Sequence, residues 1–305
     1  MGHKALYTLR SVPFIFALAL LAGAMVSCNT EDTASTTANG KVAVQFTGGI
    51  SVNTRASGLA WADGDMIGIF MTGANQTLSA DAIKEGVDNV CYQTDGSVAF
   101  SPISGGKTIY YPIDGDVDFY SYYPYTTVSN YKVALNVANQ GSLEAIDFMY
   151  AKTTGYNKAN PQVELKFNHM LSKLVLNVQA GNGLTQDDLN KLTVTIKDQN
   201  TTATFNLADG VISGEGKPDN IQMKAVQVGK RYEAILLPTA SKIREIEFEL
   251  NNGFDAPFVW KMDQELKGGN LYNYTTVKLT RTTIDMMGTI QSWNEVKNNN
   301  ENIAD

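Results

Sequence analysis

Residue types that could carry out chemistry are sparse in this chain and do not cluster. Of the two histidines, only His169 lies beyond residue 27, so histidine ligands cannot gather around a metal. A Ser-His-Asp triad would need that histidine, and no Gly-x-Ser-x-Gly turn, which exposes a nucleophilic serine, occurs in the sequence. We therefore interpret His169 as a packing or interdomain residue, and we predict no enzyme activity, no cofactor and no metal site.

The acidic stretch "DGDVD" places Asp114, Asp116 and Asp118 two residues apart, as at the start of a calcium-binding loop. Phe119 stands at the sixth position, where such a loop needs glycine, and Tyr125 at the twelfth, where it needs glutamate. We interpret the stretch as a turn whose acids leave on the solvent face of the next strand. A surface calcium ion is the alternative.

A cluster of tyrosines surrounds this stretch, at Tyr110, Tyr111, Tyr120, Tyr122, Tyr123 and Tyr125. Such rings can bind sugars by stacking, or they can line a hydrophobic core. Because alternate residues of a strand face opposite ways, we favour the rim of a core. The sugar-stacking alternative would support a glycan-binding protein.

The N-terminal segment is predicted to be a targeting signal rather than part of the fold. A short cationic segment precedes an apolar run at residues 12–26, and small Ser27 follows it, an order typical of a secretory signal peptide at residues 1–27. The next residue is Cys28, and "MVSC" resembles the lipobox of bacterial lipoproteins. Acyl chains on Cys28 would anchor the protein to a membrane, since each buried methylene contributes about 0.8 kcal/mol. An ordinary signal peptide with a chance cysteine is the alternative.

Charge and cysteine content narrow the class of protein. The formal net charge is −7 and the signal peptide carries +2, so the remainder is near −9. Such a charge disfavours nucleic acid as a partner. If Cys28 carries lipid, Cys91 has no disulfide partner, and its alternating neighbourhood predicts a small buried thiol. Stability must then come from apolar burial, for which 278 residues (305 − 27) are ample.

Beyond the signal peptide, residues 28–40 are small and polar and are predicted to be a flexible tether. From there the sequence alternates in about fourteen short runs rich in β-branched and aromatic residues. One short helix is predicted at "TQDDLNKL", with Thr185 as its N-cap. The pattern predicts an all-β protein with two β-sandwich domains, 41–157 and 158–293, and a polar tail, 294–305.

Several segments, in order and spacing, resemble the fimbrillins of Bacteroidales and, more narrowly, the Mfa-like fimbrillin family. They are "WADGDMIGIFM" (61–71), "TIYYPIDGDVDFYSYYPY" (108–125), "DFMYAK" (147–152), "LKFNHMLSKLVLNV" (165–178) and "GGNLYNYTTVKL…GTIQSW" (268–293). The resemblance runs from the lipobox to Trp293. It implies that both sandwiches are transthyretin-like and that the protein is a fimbrial subunit on the cell surface.

The resemblance also implies an assembly route in which a lipidated precursor reaches the outer membrane and an arginine-specific protease cuts after the first strand. The groove left behind then takes a strand from another fimbrial subunit. Arg55 in "NTRASG" occupies the matching place, so the cut would fall between Arg55 and Ala56. The alternative is that Arg55 is a solvated loop residue and that the first strand stays in place. The surrounding residues are small, polar and glycine-containing, as exposed protease sites are. Upstream, Val42, Val44 and Phe46 are predicted to form the buried face of the first strand.

The C-terminal tail departs from the pattern of stalk fimbrillins. In those proteins an alternating segment that can serve as donor strand follows the tryptophan-bearing strand, whereas "NEVKNNNENIAD" here does not alternate. This favours a tip or accessory subunit that supports adhesion to a host or bacterial surface ligand. The alternative is a monomeric glycan-binding surface lipoprotein, and a surface glycosidase or peptidase is a more distant one.

Overall fold

The computed structural model describes residues 40–51, 60–214, 216, 218–239, 243–253, 256–281 and 283–293. This part of the chain is all-β, as the alternation predicted. Its strands are β1 (Gln45–Ile50), β2 (Asp63–Gly73), β3 (Val90–Asp95), β4 (Ala99–Pro102), β5 (Val117–Tyr123), β6 (Lys132–Asn136), β7 (Met149–Tyr156), β8 (Gln162–His169), β9 (Ser172–Ala180), β10 (Thr193–Asn200), β11 (Thr202–Asn206), β12 (Val211–Ser213), β13 (Pro218–Gln222), β14 (Lys224–Gln227), β15 (Arg231–Leu236), β16 (Ile243–Glu249), β17 (Phe258–Asp263), β18 (Asn270–Leu279) and β19 (Ile284–Ser292). Its short helices are α1 (Leu143–Ile146), α2 (Gln186–Leu189) and a 3-10 turn at Ala80–Ala82.

Helix α2 begins where the sequence predicted. Thr185 is its N-cap and accepts a hydrogen bond from the Asp188 backbone N–H at 3.3 Å, while the Asp188 carboxylate accepts one from the Thr185 N–H at 2.8 Å. This reciprocal pair satisfies two backbone donors at the helix start. None of the helices in the described part of the chain has the length and apolarity needed to cross a bilayer.

Seven strands form a closed sheet in the order β1-β4-β3-β2-β5-β7-β8, and β8 returns to pair with β1. The neighbours are antiparallel except for β1 and β8, which run parallel. The inward side chains form a first core that includes Val44, Phe46, Trp61, Ile67, Ile69, Met71, Phe119, Val163, Leu165 and Phe167. The first strand is therefore an integral part of this sheet.

Strands β2 and β5 are buried on both faces. Ile69 and Phe119 belong to the first core, whereas Phe70, Tyr120 and Tyr122 belong to a second core. A strand covered on both faces needs apolar residues at consecutive positions rather than alternate ones. This explains the nearly continuous apolar and aromatic runs "IGIFM" and "FYSYY".

The second core unites the remaining sheets. A four-stranded sheet has the order β13-β10-β16-β17, a five-stranded sheet β14-β15-β9-β18-β19, and a small sheet β12-β11-β6. Each of them contributes buried residues, among them Ile196, Phe205, Leu174, Tyr232 and Phe248.

Several pairings join strands on opposite sides of the predicted boundary between residues 157 and 158. They are β8 with β1, β8 with β7, and β6 with β11. The division into domains 41–157 and 158–293, and their likeness to transthyretin, stay predictions.

Candidate functional site

Strand β1 lies between two strands that come later in the chain. It pairs antiparallel with β4 on one side and parallel with β8 on the other. Hydrogen bonds extend the pairing past its ends: Val44 N–H donates to Ile109 O at 3.0 Å, and Ser51 N–H donates to Phe167 O at 2.9 Å. We call the space that β1 fills between β4 and β8 the β1 groove. Without β1, this groove would present two unpaired strand edges.

The apolar side chains of β1 are embedded in the first core. Val44 and Phe46 are buried, as predicted. Val42 is only partly buried, because it precedes the continuous pairing of β1. The Phe46 ring packs edge-on against Tyr92 and Phe119, with ring centroids 5.3 and 5.2 Å away.

Gly48 is the next inward position of β1, and three aromatic side chains enclose it. A Cβ atom at this position would stand 2.6 Å from Phe100 Cε2, closer than side chains pack. Trp61 Nε1–H donates to the Gly48 carbonyl at 2.7 Å. The indole also packs edge-on against Phe100 and Phe167, with centroids 5.0 and 5.3 Å away. Sequence reasoning did not assign these residues; the signal was glycine inside an alternating strand, which marks a close approach.

The predicted processing residues Arg55 and Ala56 lie outside the described residues, between Ser51 and Ala60. The predicted lipidation residue Cys28 and the tail 294–305 also lie outside them. The roles of these residues therefore stay predictions.

The three acids of "DGDVD" do not all face solvent. Asp114 and Asp116 are exposed, but Asp118 is 2% exposed, so the expectation is wrong for this residue. Its carboxylate accepts hydrogen bonds from the backbone N–H groups of Asn75 at 2.8 Å and Gly155 at 3.0 Å. These two donors compensate its burial. Across the described ranges, no group of three or more His, Cys, Asp or Glu side chains is arranged to hold a metal ion.

The tyrosine cluster belongs mostly to the two cores. Tyr111, Tyr120 and Tyr122 are buried, whereas Tyr125 is exposed. Burial raises the pKa of Tyr122 to about 12. The core interpretation is confirmed for the three buried rings. The prediction that Cys91 is a buried thiol is also confirmed, and burial raises the pKa of this thiol.

His169 packs against the last described residue of the chain. Its ring stacks on Trp293 with centroids 3.7 Å apart, and its Nδ1 lies 2.9 Å from Asp147 Oδ1. The Trp293 backbone N–H donates to Gly269 O at 2.6 Å. The predicted packing role of His169 is confirmed by this burial and stacking, whereas its partner Trp293 could not be identified from the sequence because the two residues are far apart in the chain.

Comparisons with known proteins give relatives over most of the chain. The profile of the Fimbrillin-like family matches residues 54–293. A candidate fimbrium subunit of Bacteroides uniformis, Fim1C, is 32% identical over 294 residues, which cover 90% of this chain and 93% of that protein.

Crystal structures of candidate cell adhesion proteins have a similar fold. One from Bacteroides uniformis has a TM-score of 0.71 at 31% identity and covers 83% of this chain and 99% of its own. One from Bacteroides ovatus has a TM-score of 0.68 at 23% identity, covers 83% of this chain and 98% of its own, and bears on the fold alone. Because the family profile matches residues 54–293, which include every strand from β2 to β19, and a relative matches over nearly its full length, this chain belongs to the Fimbrillin-like family.

Proposed function

We propose that this chain is a fimbrial subunit that reaches the cell surface as an outer membrane lipoprotein, with lipid on Cys28. An arginine-specific protease cuts between Arg55 and Ala56, and a strand from another fimbrial subunit replaces β1. The mature protein is a tip or accessory subunit and supports adhesion to a host or bacterial surface. Membership of the Fimbrillin-like family and similarity to a candidate fimbrium subunit support the fimbrial role.

The position of β1 is the observation that carries this proposal. The strand precedes Arg55 in the chain, yet both of its neighbours, β4 and β8, follow Arg55. A cut at Arg55 would therefore remove the covalent link to β1 and leave only non-covalent contacts. A partner strand can replace β1, because backbone hydrogen bonding along a strand edge is open to any extended segment.

The energetics favour replacement over an empty groove. Val44 and Phe46 are buried, and burial of such side chains contributes about 1.5–3 kcal/mol each. A whole domain is stable by only about 5–15 kcal/mol. Loss of β1 would also leave the pairing edges of β4 and β8 without partners. A trimmed subunit would thus be stabilised strongly by an incoming strand.

The tail sequence supports a position at the tip or beside the stalk. Residues 294–305 contain a run of asparagines and no alternation. Such a segment has few apolar side chains to fill the groove of a following subunit. A subunit in which residues 294–305 do not serve as a donor strand fits a tip or accessory position.

The rival, a monomeric glycan-binding lipoprotein, loses half of the rings on which it rested. Its argument used six tyrosines that could stack on sugars, and Tyr111, Tyr120 and Tyr122 are buried. The enzyme alternative is disfavoured by membership of a family of structural subunits.

Limited digestion with an arginine-specific protease tests the processing step. In a soluble chain beginning at Asn29, we expect the first cut between Arg55 and Ala56, detected by mass spectrometry. Arg231 lies within β15 and is predicted to be cut later, because a protease needs an extended segment free of its sheet. The fragment that ends at Arg55 should stay bound until mild heating or a partner strand displaces it.

The matched control is Arg55→Ala, which should block the cut. Because the small, polar neighbours of Arg55 predict an exposed loop, this variant should change the free energy of unfolding by no more than about 0.5 kcal/mol. An intact Arg55–Ala56 bond after digestion of the folded protein would overturn the mechanism. So would a trimmed protein that is as stable as the parent and takes no strand.

Membrane fractionation tests the anchor. Cys28→Ala should move the protein from the membrane to the soluble fraction or stall its processing, because this variant cannot carry the acyl chains that anchor the protein durably. An unchanged membrane fraction for this variant would contradict the lipoprotein assignment.

A further inference from the structure

We infer that the β1 groove selects its incoming strand by a glycine, which must lie where Gly48 now lies. A large apolar side chain must stand two residues earlier, in the place of Phe46. The inference rests on the proposed function, because it describes the strand that replaces β1. The partner strand is thus defined by its chemistry. It is an extended segment in which a large apolar residue is followed by any residue and then by glycine.

The space at Gly48 does not admit a Cβ atom unless the Phe100 ring shifts. A Cβ atom there would lie 2.6 Å from Phe100 Cε2 and 3.4 Å from Phe167 Cε2. The backbone of Gly48 is not in the left-handed region, so space, and not φ, requires glycine. Phe100 and Phe167 cannot move aside freely, because both are buried and pack against Trp61. A side chain pushed into a filled core destabilises it.

These aromatic residues remain when β1 is removed. Trp61, Phe100 and Phe167 all follow Arg55 in the chain, so the cut subunit keeps them. Any strand that enters the groove therefore meets the same aromatic wall (Trp61, Phe100 and Phe167).

Trp61 fixes the register of the incoming strand. Its indole is buried, and its Nε1–H donates to the Gly48 carbonyl at 2.7 Å. When β1 leaves, this donor loses its acceptor, and a strand that covers the indole again without supplying a carbonyl would leave the donor buried and unpaired, which is unfavourable. An incoming backbone carbonyl restores the bond only if the strand approaches the indole as closely as Gly48 does.

The place of Phe46 supplies the second half of the pattern. Its ring lies edge-on to Tyr92 and Phe119, which also follow Arg55 in the chain. Along β8, Phe46 stands opposite Val163 and Gly48 opposite Leu165, so the two positions face the same core two residues apart. A large side chain at the first position and none at the second match this shape.

Gly49 provides a matched control. A Cβ atom built on Gly49 meets nothing within 4 Å. It is adjacent to Gly48, carries the same residue type and belongs to the same strand. A substitution at Gly49 therefore changes composition and strand propensity as much as the same substitution at Gly48 does, but it does not touch the aromatic wall.

Peptide binding tests the inference. Three fluorescent peptides span Lys41–Ser51: the natural sequence, one with Gly48→Leu and one with Gly49→Leu. The receptors are the soluble chain beginning at Asn29 after cleavage at Arg55, and the uncut chain with Gly48→Leu, whose own β1 competes poorly. Affinity is measured by fluorescence anisotropy. We expect the natural and Gly49→Leu peptides to bind alike, and the Gly48→Leu peptide to bind at least about tenfold more weakly, the loss that overpacking a core produces.

Equal binding of all three peptides to either receptor would overturn this inference and leave strand replacement standing. No binding of any peptide to either receptor would overturn both. A Trp61→Phe receptor keeps the aromatic wall without its donor, and the natural peptide should bind it several-fold more weakly, since a lost hydrogen bond reduces stability modestly. Unchanged affinity for that receptor would remove Trp61 from the register argument.

Discussion

At the scale of residues, burial decides what the polar groups of this chain do. The Asp118 carboxylate accepts hydrogen bonds from two backbone N–H groups, at Asn75 and Gly155. It thereby links separate segments of the first half of the sequence. The Tyr122 hydroxyl donates to Asn89 Oδ1 at 2.8 Å, which holds a loop against β5. Both residues lie in a stretch whose composition also suits calcium or sugar binding. The hydrogen-bond partners of Asp118 and Tyr122, and not their residue types, show that both residues have a structural role rather than a binding role.

The Cys91 thiol should react slowly in the native protein. It is 8% exposed, and burial raises its pKa, so both access and the thiolate fraction are low. In a soluble chain beginning at Asn29, labelling by a disulfide reagent should be at least about tenfold slower than after denaturation. Val98→Cys in a Cys91→Ala background, at an exposed position, is the fast-reacting control. Native labelling as fast as that of the denatured protein would contradict the assignment.

At the scale of elements, the sequence predicted about fourteen strands, whereas the described part of the chain has nineteen, and it did not predict which strands pair. Alternation identified the inward residues Val44 and Phe46, and the capping pattern placed α2 correctly, because both signals are local. The parallel pairing of β1 with β8 joins residues more than a hundred positions apart, and no local signal encodes it. The aromatic wall at Gly48 likewise depends on Phe100 and Phe167, which reach it only through the closed sheet. The strand that fills the candidate site could thus be predicted from the sequence, whereas the shape of the groove around it could not.

Substitutions in β1 should separate inward from outward positions. Phe46→Ala should lower the free energy of unfolding by about 3–5 kcal/mol, because it removes a buried ring from the first core. Its neighbour Gln45 is exposed, and Gln45→Ala should change that free energy by no more than about 0.5 kcal/mol. Urea unfolding of the uncut chain measures both. Similar midpoints for the two variants would show that β1 contributes little to stability, and the energetic argument for strand replacement would fail.

At the scale of the whole molecule, the two cores share structural elements. Strands β2 and β5 carry residues of the first core on one face and of the second on the other. Strand β6 pairs with β11, and β8 closes the first sheet, so both halves of the sequence contribute to both regions. Shared strands predict that the two cores unfold together, since loss of one core uncovers a face of the strands that support the other.

This coupling can be measured with a reporter in one core and a substitution in the other. Trp260 packs against Tyr274 with ring centroids 4.8 Å apart and lies beside the second core. A variant that keeps only this tryptophan, with Trp61→Phe and Trp293→Phe, reports unfolding there by fluorescence. Adding Phe46→Ala, a change in the first core, should lower the Trp260 urea midpoint together with that of far-ultraviolet circular dichroism, because shared strands make the transition cooperative. Adding Gln45→Ala should leave both midpoints in place. If Phe46→Ala shifts the circular dichroism but not the Trp260 signal, the two regions unfold independently, and removal of β1 during assembly would then leave the second core undisturbed.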